Sequence, residues 1–211
     1  MTQKTPCVLS ETILDKMMLL FWERGYFNTS IQDLIQTTGF NRAALYKTFG
    51  GKHGLFVAML QRFRSRVVEE ATKPLIDPAE GMDGIKFFFQ QFLDCNDTMI
   101  GAYGCLMVAT ASNLPSHDPV VVSVVEEFIQ HLRGMLYRNL RWQQSEKRLG
   151  SEINVEVAAD FLVGNLVGLA TLVRSGLEPH MVANHVQGVM SFLSSLAQRK
   201  SASQHHLHII T

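Results

Sequence analysis

The most constraining stretch of this chain lies between Gly25 and Gly51, where capping residues and glycines cut it into two short helical segments. Ser30 stands three residues before Asp33, the spacing of a capping box, with Asp in place of the usual Glu. Ile31, Leu34 and Ile35 then give a brief apolar face, and Gly39 supplies a turn. Asn41 caps the next segment, which carries Leu45 and is stopped by Gly50-Gly51. Two short helices joined by a glycine-containing turn make the helix-turn-helix pattern. Their neighbours are helical too. Leu14, Met17, Met18 and Phe21 recur at helical spacing after Ser10 as N-cap, and a longer helix is predicted from Lys52 to Ala71, ahead of Lys73-Pro74.

The spacing also orients the second short helix. Ala44 and Leu45, with Phe40 and Phe49 flanking, turn inward against Leu34, Ile35 and Phe21. Arg42, Ala43, Tyr46 and Lys47, at i, i+1, i+4 and i+5, are left facing outward. That face suits a DNA groove: Arg forks to guanine, Ala touches a thymine methyl, and Tyr and Lys reach phosphates. Lys52 adds its charge to a helix N-terminus, a second phosphate contact, and Ser30 or Thr29 offers a hydroxyl to the opposite strand. Charge agrees. The whole chain is neutral, with nineteen residues of each sign, yet Arg24 to Arg66 holds seven basic residues and one acid, Asp33. A basic N-terminal part on an acidic remainder points to a polyanion partner at one end.

These residues carry a resemblance. Phe21-Trp22-Glu23-Arg24-Gly25-Tyr26-Phe27-Asn28-Thr29-Ser30-Ile31, then Thr38-Gly39-Phe40-Asn41-Arg42-Ala43-Ala44-Leu45-Tyr46-Lys47-Thr48-Phe49 and Lys52-His53-Gly54-Leu55-Phe56, resemble the DNA-binding domain of the TetR family of bacterial repressors. The resemblance covers about the first 60 residues. It implies an all-α protein with an N-terminal three-helix helix-turn-helix domain and a C-terminal helical domain that binds a small effector and dimerises through its last two helices. It also implies DNA contacts at Ser30, Asn41, Arg42, Ala43, Tyr46, Lys47, Thr48 and Lys52. Two positions depart from the family pattern. Gly50-Gly51 lacks the usual capping hydroxyl, and His53 replaces an acidic residue. The expected organisation is a DNA-binding domain over 1–51 (motif about 31–50), a connecting helix over 52–73, an effector and dimerisation domain over 74–200, and a flexible tail over 201–211.

The second part is predicted to hold helices near 82–96, 103–113, 118–147, 152–174 and 179–198, bounded by Gly101/Gly104, Leu114-Pro115, Gly150 and Gly176 to Pro179. Phe87-Phe88-Phe89-Gln90-Gln91-Phe92 puts aromatic bulk on more than one face. With Phe63, Met99, Met107, Phe128, His131 and Met135 it suggests an apolar effector pocket, for which Phe63, Phe88, Phe92, Cys105, Met107, Phe128 and His131 are the named candidates. Each of these is also an ordinary core residue at helical spacing. Gly104-Cys105-Leu106 resembles a segment near the effector pocket in several branches of the family, in some of which the cysteine reacts with electrophiles or oxidants. A thiol switch at Cys105 is therefore a competing reading, and it requires a depressed pKa.

Phe161 to Val173 is apolar all round apart from Asn165, so it needs burial on two sides. Val182, Val186, Val189, Leu193 and Leu196 form a stripe at spacings 4, 3, 4, 3, and Gly164 and Gly168 permit close backbone approach. Phe161, Leu166 and that stripe are the expected interface of a homodimer. The 13-residue apolar stretch is shorter than the ~20 residues of a membrane span, so no membrane partner is expected. Three cysteines, Cys7, Cys95 and Cys105, without a Cys-x-x-Cys pair argue against a disulfide framework or structural zinc. The N-terminus lacks a signal-peptide pattern, and the expected setting is a reducing cytoplasm.

No catalytic constellation, metal site or cofactor motif is found; His180 and His185 do not share a helix face, and His205, His206 and His208 fall in the tail. The expected partners are double-stranded operator DNA, a second copy and a small largely apolar effector. A third reading, a helical enzyme or carrier with a vestigial DNA-binding domain, would show itself by turnover.

Overall fold

The computed structural model describes residues 10–94 and 98–205, with side chains described as far as residue 197. Among the described residues there is no strand; the elements are α1 (Glu11–Arg24), α2 (Ile31–Thr38), α3 (Arg42–Phe49), α4 (Lys52–Phe63), α5 (Glu69–Ala71), α6 (Gly81–Gln90), α7 (Met99–Tyr103), α8 (Leu106–Ala111), α9 (Pro119–Ser145), α10 (Val155–Ser175) and α11 (Pro179–His205). A π-helical turn, Arg64–Val68, joins α4 to α5. Cys7, Cys95, His206 and His208 lie outside the described residues.

The caps do what the sequence asks of them. Ser10 Oγ accepts from the Ile13 N–H at 3.3 Å. The Ser30 N–H donates to Asp33 Oδ2 at 2.8 Å while the Asp33 N–H donates to Ser30 Oγ at 3.1 Å, a complete capping box. Asn41 Oδ1 accepts from the Ala43 and Ala44 N–H groups at 2.8 and 3.3 Å. Gly39, at φ +67°, makes the left-handed turn between α2 and α3 that a side chain would strain.

Contacts divide the chain into two compact units, one of Met1–Val68 with Cys105–Val125, the other of Glu69–Gly104 with Glu126–Thr211. The first unit therefore includes α8 and the start of α9 beside α1 to α4. Its core is Phe21, Leu34, Phe40, Leu45, Leu55, Phe56, Met59 and Phe63, all almost fully buried. Phe21 meets Phe56 edge-on at 5.0 Å between ring centres, and Trp22 meets Phe63 at 4.7 Å. Each fully buried ring of this kind is worth about 1.5–3 kcal/mol in transfer alone. An ion-pair cluster fastens α1 to α4: Arg62 donates to Asp15 Oδ1 at 2.6 and 2.9 Å and to Glu11 Oε2 at 2.8 Å, and Arg66 also reaches Glu11.

In the second unit α10 packs on α11 and on α7, and α6 packs on α11. Gly104 closes α7 at φ +63°, and a Cβ there would lie 2.6 Å from the Ala170 carbonyl oxygen of α10. The Arg174 guanidinium donates to the Tyr103 carbonyl at 2.8 Å across the same contact. Asn154 caps α10, accepting from the Glu156 and Val157 N–H groups.

Four helix boundaries differ from the sequence reading. The helix expected to run from Lys52 to Ala71 changes to π geometry at Arg64, where the β-branched pair Val67-Val68 follows. The helix expected over 82–96 stops at Gln90. The one expected over 103–113 is two, Met99–Tyr103 and Leu106–Ala111, because Gly104 alone breaks the chain while Gly101 stays helical. The last helix continues to His205, past Ser201, where the tail was expected. Val155–Ser175 is 21 residues and apolar enough to cross a membrane by length and composition, so the shortness argument does not hold for it. Its Ala158, Ala159, Leu162, Leu166 and Leu169 are instead buried against the rest of the protein.

The Arg62 cluster yields a stability prediction. The Arg62 side chain is 11% exposed, so losing it costs more than an ordinary surface pair, about 1–2 kcal/mol. Arg62→Ala should lower Tm by roughly 2–8 °C; an unchanged Tm by circular dichroism would contradict the assignment. Hydrogen bonding and charge from Arg62 hold the Glu11 carboxyl below its ordinary value. That contribution is complete above the ordinary carboxylate pKa and is lost as pH falls through the lowered one.

Candidate DNA interface

α3 is held from behind and open in front. Leu45 is fully buried against the α1–α2–α4 core and Ala44 is half-buried, while Arg42, Ala43, Tyr46, Lys47 and Thr48 are exposed. The Arg42 guanidinium lies 6.0 Å from the centre of the Tyr46 ring, one turn along the same face. Exposed cation, methyl, phenol and ammonium thus share one surface, with Asn41 at its N-terminal edge. The Asn41 side-chain oxygen is engaged in the cap, so its role on this surface is to fix the first turn of α3.

The residues flanking α3 separate into two groups. Ser30 is exposed, with its hydroxyl and backbone N–H both tied to Asp33, and its cap pins the start of α2. Thr29 is fully buried and its hydroxyl donates to the Gly25 carbonyl at 2.7 Å, which removes it as a phosphate contact. Lys52 opens α4, which has no side-chain cap at Gly51. Its ammonium stands 4.2 Å from the centre of the Tyr26 ring, and partial burial pulls its pKa below the ordinary lysine value. Tyr26 enters the sequence reading only as part of the family-like run, with no role of its own, and His117 not at all; its ring lies 5.4 Å from that of Tyr26. Nothing in the local spacing could have joined them.

Outside this surface, the residues expected to line an effector pocket are mostly packed core. In the first unit Phe63 and Met107 are buried, Phe63 against Trp22. In the second unit Phe88 meets Phe89 edge-on at 5.4 Å and Phe92 at 6.3 Å, and Phe128 and Met135 are buried. His131 is exposed, and so is Met99, because each falls on the solvent side of its helix. A groove of about 540 Å³ opens elsewhere in the second unit, lined by Phe87 with Pro74, Glu80, Asp83, Lys86 and Gln90. None of the seven expected lining residues borders it. Phe87 is 58% exposed there, the most exposed member of the aromatic run.

Cys105 occupies the N-cap position of α8 without a side-chain capping bond; the Val108 and Met107 N–H groups favour its thiolate, but burial outweighs them and pushes the thiol up to about 11. The depressed pKa that a sensing thiol needs is absent.

The expected dimer residues also divide. Leu166, Val186, Val189, Leu193 and Leu196 are buried within their own chain, where the stripe packs between α11 and its neighbours, so a second copy has no access to them. Val182 is half-buried, and Phe161 is 47% exposed. Gly168 accommodates the His185 ring of α11, 3.4 Å from where a Cβ would sit, whereas Gly164 faces open space.

Comparison with known proteins decides the family. Residues 13–59 match the domain described as bacterial regulatory proteins, tetR family, and residues 81–195 match the tetracyclin repressor-like C-terminal domain. The chain belongs to the TetR family. The HTH-type transcriptional repressor ComR of Escherichia coli is 26% identical over 167 residues, 79% of this chain and 80% of that protein. The HTH-type transcriptional regulator YezE of Bacillus subtilis is 24% identical over 182 residues, 86% of this chain and 94% of its own. Among solved structures, a cysteine mutant of the TetR-family regulator CifR, complexed with 26 bp operator DNA, superposes with a TM-score of 0.74 at 19% identity, covering 87% and 96% of the two chains. This chain has the fold of TetR-family regulators and is a DNA-binding transcriptional regulator.

The state of the thiol is open to direct measurement. In a Cys7→Ser/Cys95→Ser background at pH 7.5, Cys105 should alkylate with iodoacetamide at least about tenfold more slowly than free cysteine, whose pKa is ~8.5. Alkylation as fast as free cysteine would restore the switch.

Proposed function

We propose that the protein is a ligand-responsive repressor that binds a palindromic operator as a homodimer. The observation that carries this reading is the outward α3 face of Arg42, Ala43, Tyr46 and Lys47 above a capped and fully packed inner side. In this reading Arg42 reads a base edge, Ala43 meets a thymine methyl, and Tyr46, Lys47, Thr48 and Lys52 hold phosphates. Ser30 and Asn41 set the angles of α2 and α3 through their caps. ComR, a relative over four-fifths of its length, is itself named a repressor, which supports the direction of control.

Dimerisation suits the outer faces of α10 and α11. Val157 and Phe161 are exposed large apolar residues, Gly164 and Gly188 present bare backbone to open space, and Phe161 lies 4.4 Å from Phe192 across the two helices. Pairing these faces in two copies buries apolar surface that one chain leaves wet. Binding of a palindrome by such a dimer requires its two α3 helices to reach successive major grooves, ~34–36 Å apart. The match to a tetracyclin repressor-like C-terminal domain supports a small-molecule effector bound in that part of the chain, with operator release as the response.

Two measurements test the reading. Fluorescence anisotropy on a duplex selected from a random library should give specific binding, and Lys47→Ala should weaken it while reducing the slope of log K against log salt by about 2 per dimer. Full affinity and an unchanged slope would remove Lys47 from the interface. In sedimentation, Phe161→Glu should give folded monomers, since that side chain is not part of the core; Leu193→Glu, which buries a charge, should instead unfold the chain. A Phe161→Glu dimer of undiminished affinity would place the interface elsewhere.

A further inference from the structure

The first unit contains a junction that the DNA-contact reading does not use. His117, in the turn before α9, stacks on Phe56 of α4 at 5.7 Å with the rings 15° apart. It also lies 5.4 Å from Tyr26 and 4.9 Å from Phe27, both in the turn between α1 and α2. Phe56 in turn touches Phe21 and Tyr26, so the imidazole closes a chain of rings that begins in the core. Burial keeps the His117 pKa below its ordinary value, so at neutral pH the ring packs as an uncharged plate.

Its neighbour Asp118 makes two attachments with one carboxylate. Oδ1 accepts from the Val120 and Val121 N–H groups at 2.9 and 3.4 Å, capping α9, while Oδ2 pairs with Nε2 of His53 in the first turn of α4. That turn starts at Gly51 without a side-chain cap, and its first residue, Lys52, rests its ammonium on the Tyr26 ring that His117 also touches. The first turn of α4 is thus fixed from outside, by the dipeptide that immediately precedes the 27-residue helix α9.

We propose that His117-Asp118 is a clasp joining the start of α9 to the first turn of α4 and the α1–α2 turn, so that both residues act as positioning residues for Lys52 and set operator affinity without touching DNA. Any movement of α9 that withdraws the clasp frees Tyr26, His53 and Lys52 together, and the phosphate contact at Lys52 loses its fixed geometry. This rests on the operator-binding reading above, and the test separates the two.

The experiment compares wild type, His117→Ala, His117→Phe, Asp118→Asn, Lys52→Ala and the Lys52→Ala/His117→Ala double variant. Binding is read by anisotropy on the duplex selected by wild type, and amide hydrogen exchange over Gly54–Phe56 is read without DNA. His117→Ala should weaken binding about tenfold and speed exchange in that turn, while His117→Phe, which keeps the stacking, restores both. Asp118→Asn keeps the α9 cap and removes the carboxylate that pairs with His53, and should show an intermediate effect. The double variant should bind no more weakly than Lys52→Ala, because the two residues act through one contact. Additive losses, or wild-type affinity in His117→Ala, would overturn the clasp. If wild type selects no duplex, the operator reading fails, and unchanged exchange in His117→Ala and Asp118→Asn overturns the clasp on its own. Should His117→Ala not fold, Asp118→Asn with no change in binding or exchange would equally overturn it.

Discussion

An eight-residue helix does not persist in water by itself, because its nucleation cost is spread over too few hydrogen bonds. α2 and α3 are both of that length, so the DNA surface exists only while something else holds them. The holding is done by a small set of contacts: Leu34 and Leu45 fully buried beside Phe21 and Phe56, the Ser30–Asp33 capping box, and the Asn41 cap. Arg42, Tyr46 and Lys47 contribute little to that stability and are free to serve a ligand. The division of labour within a single turn is set by helical periodicity, with Leu45 inward and its neighbours Tyr46 and Lys47 outward.

The local parts of this arrangement were legible from the amino-acid order. Ser10, Ser30 and Asn41 act on backbone groups two or three residues away, and the inward Leu45 follows from spacing alone. What escaped the sequence is what depends on distant partners. The stripe Val186, Val189, Leu193 and Leu196 announces burial but does not say which chain supplies the cover, and its own chain does. Gly104 separates two helices because its backbone meets Ala170, far along the chain, and no pattern around it shows that. The Cys105 thiol sits at a helix start, which lowers a pKa, and is desolvated, which raises it; only the folded surroundings show that the second effect wins.

Effector recognition was the least legible. The aromatic run Phe87–Phe92 reads as pocket lining, yet Phe88 and Phe89 are core, and it is Phe87 that stands outside, on the groove beside Glu80, Asp83 and Lys86. Clustered phenylalanines satisfy two demands at once, filling space between α6 and its neighbours and offering apolar walls, and spacing cannot separate the two.

α10 has a consequence for how the chain is made. Its 21 residues pass for a membrane segment by length and composition, and α11, which covers one side of it, lies C-terminal to it. At about 5–20 residues per second of synthesis, that greasy helix waits a few seconds for its cover. During that interval it presents to the cell what a bilayer-bound nascent chain presents.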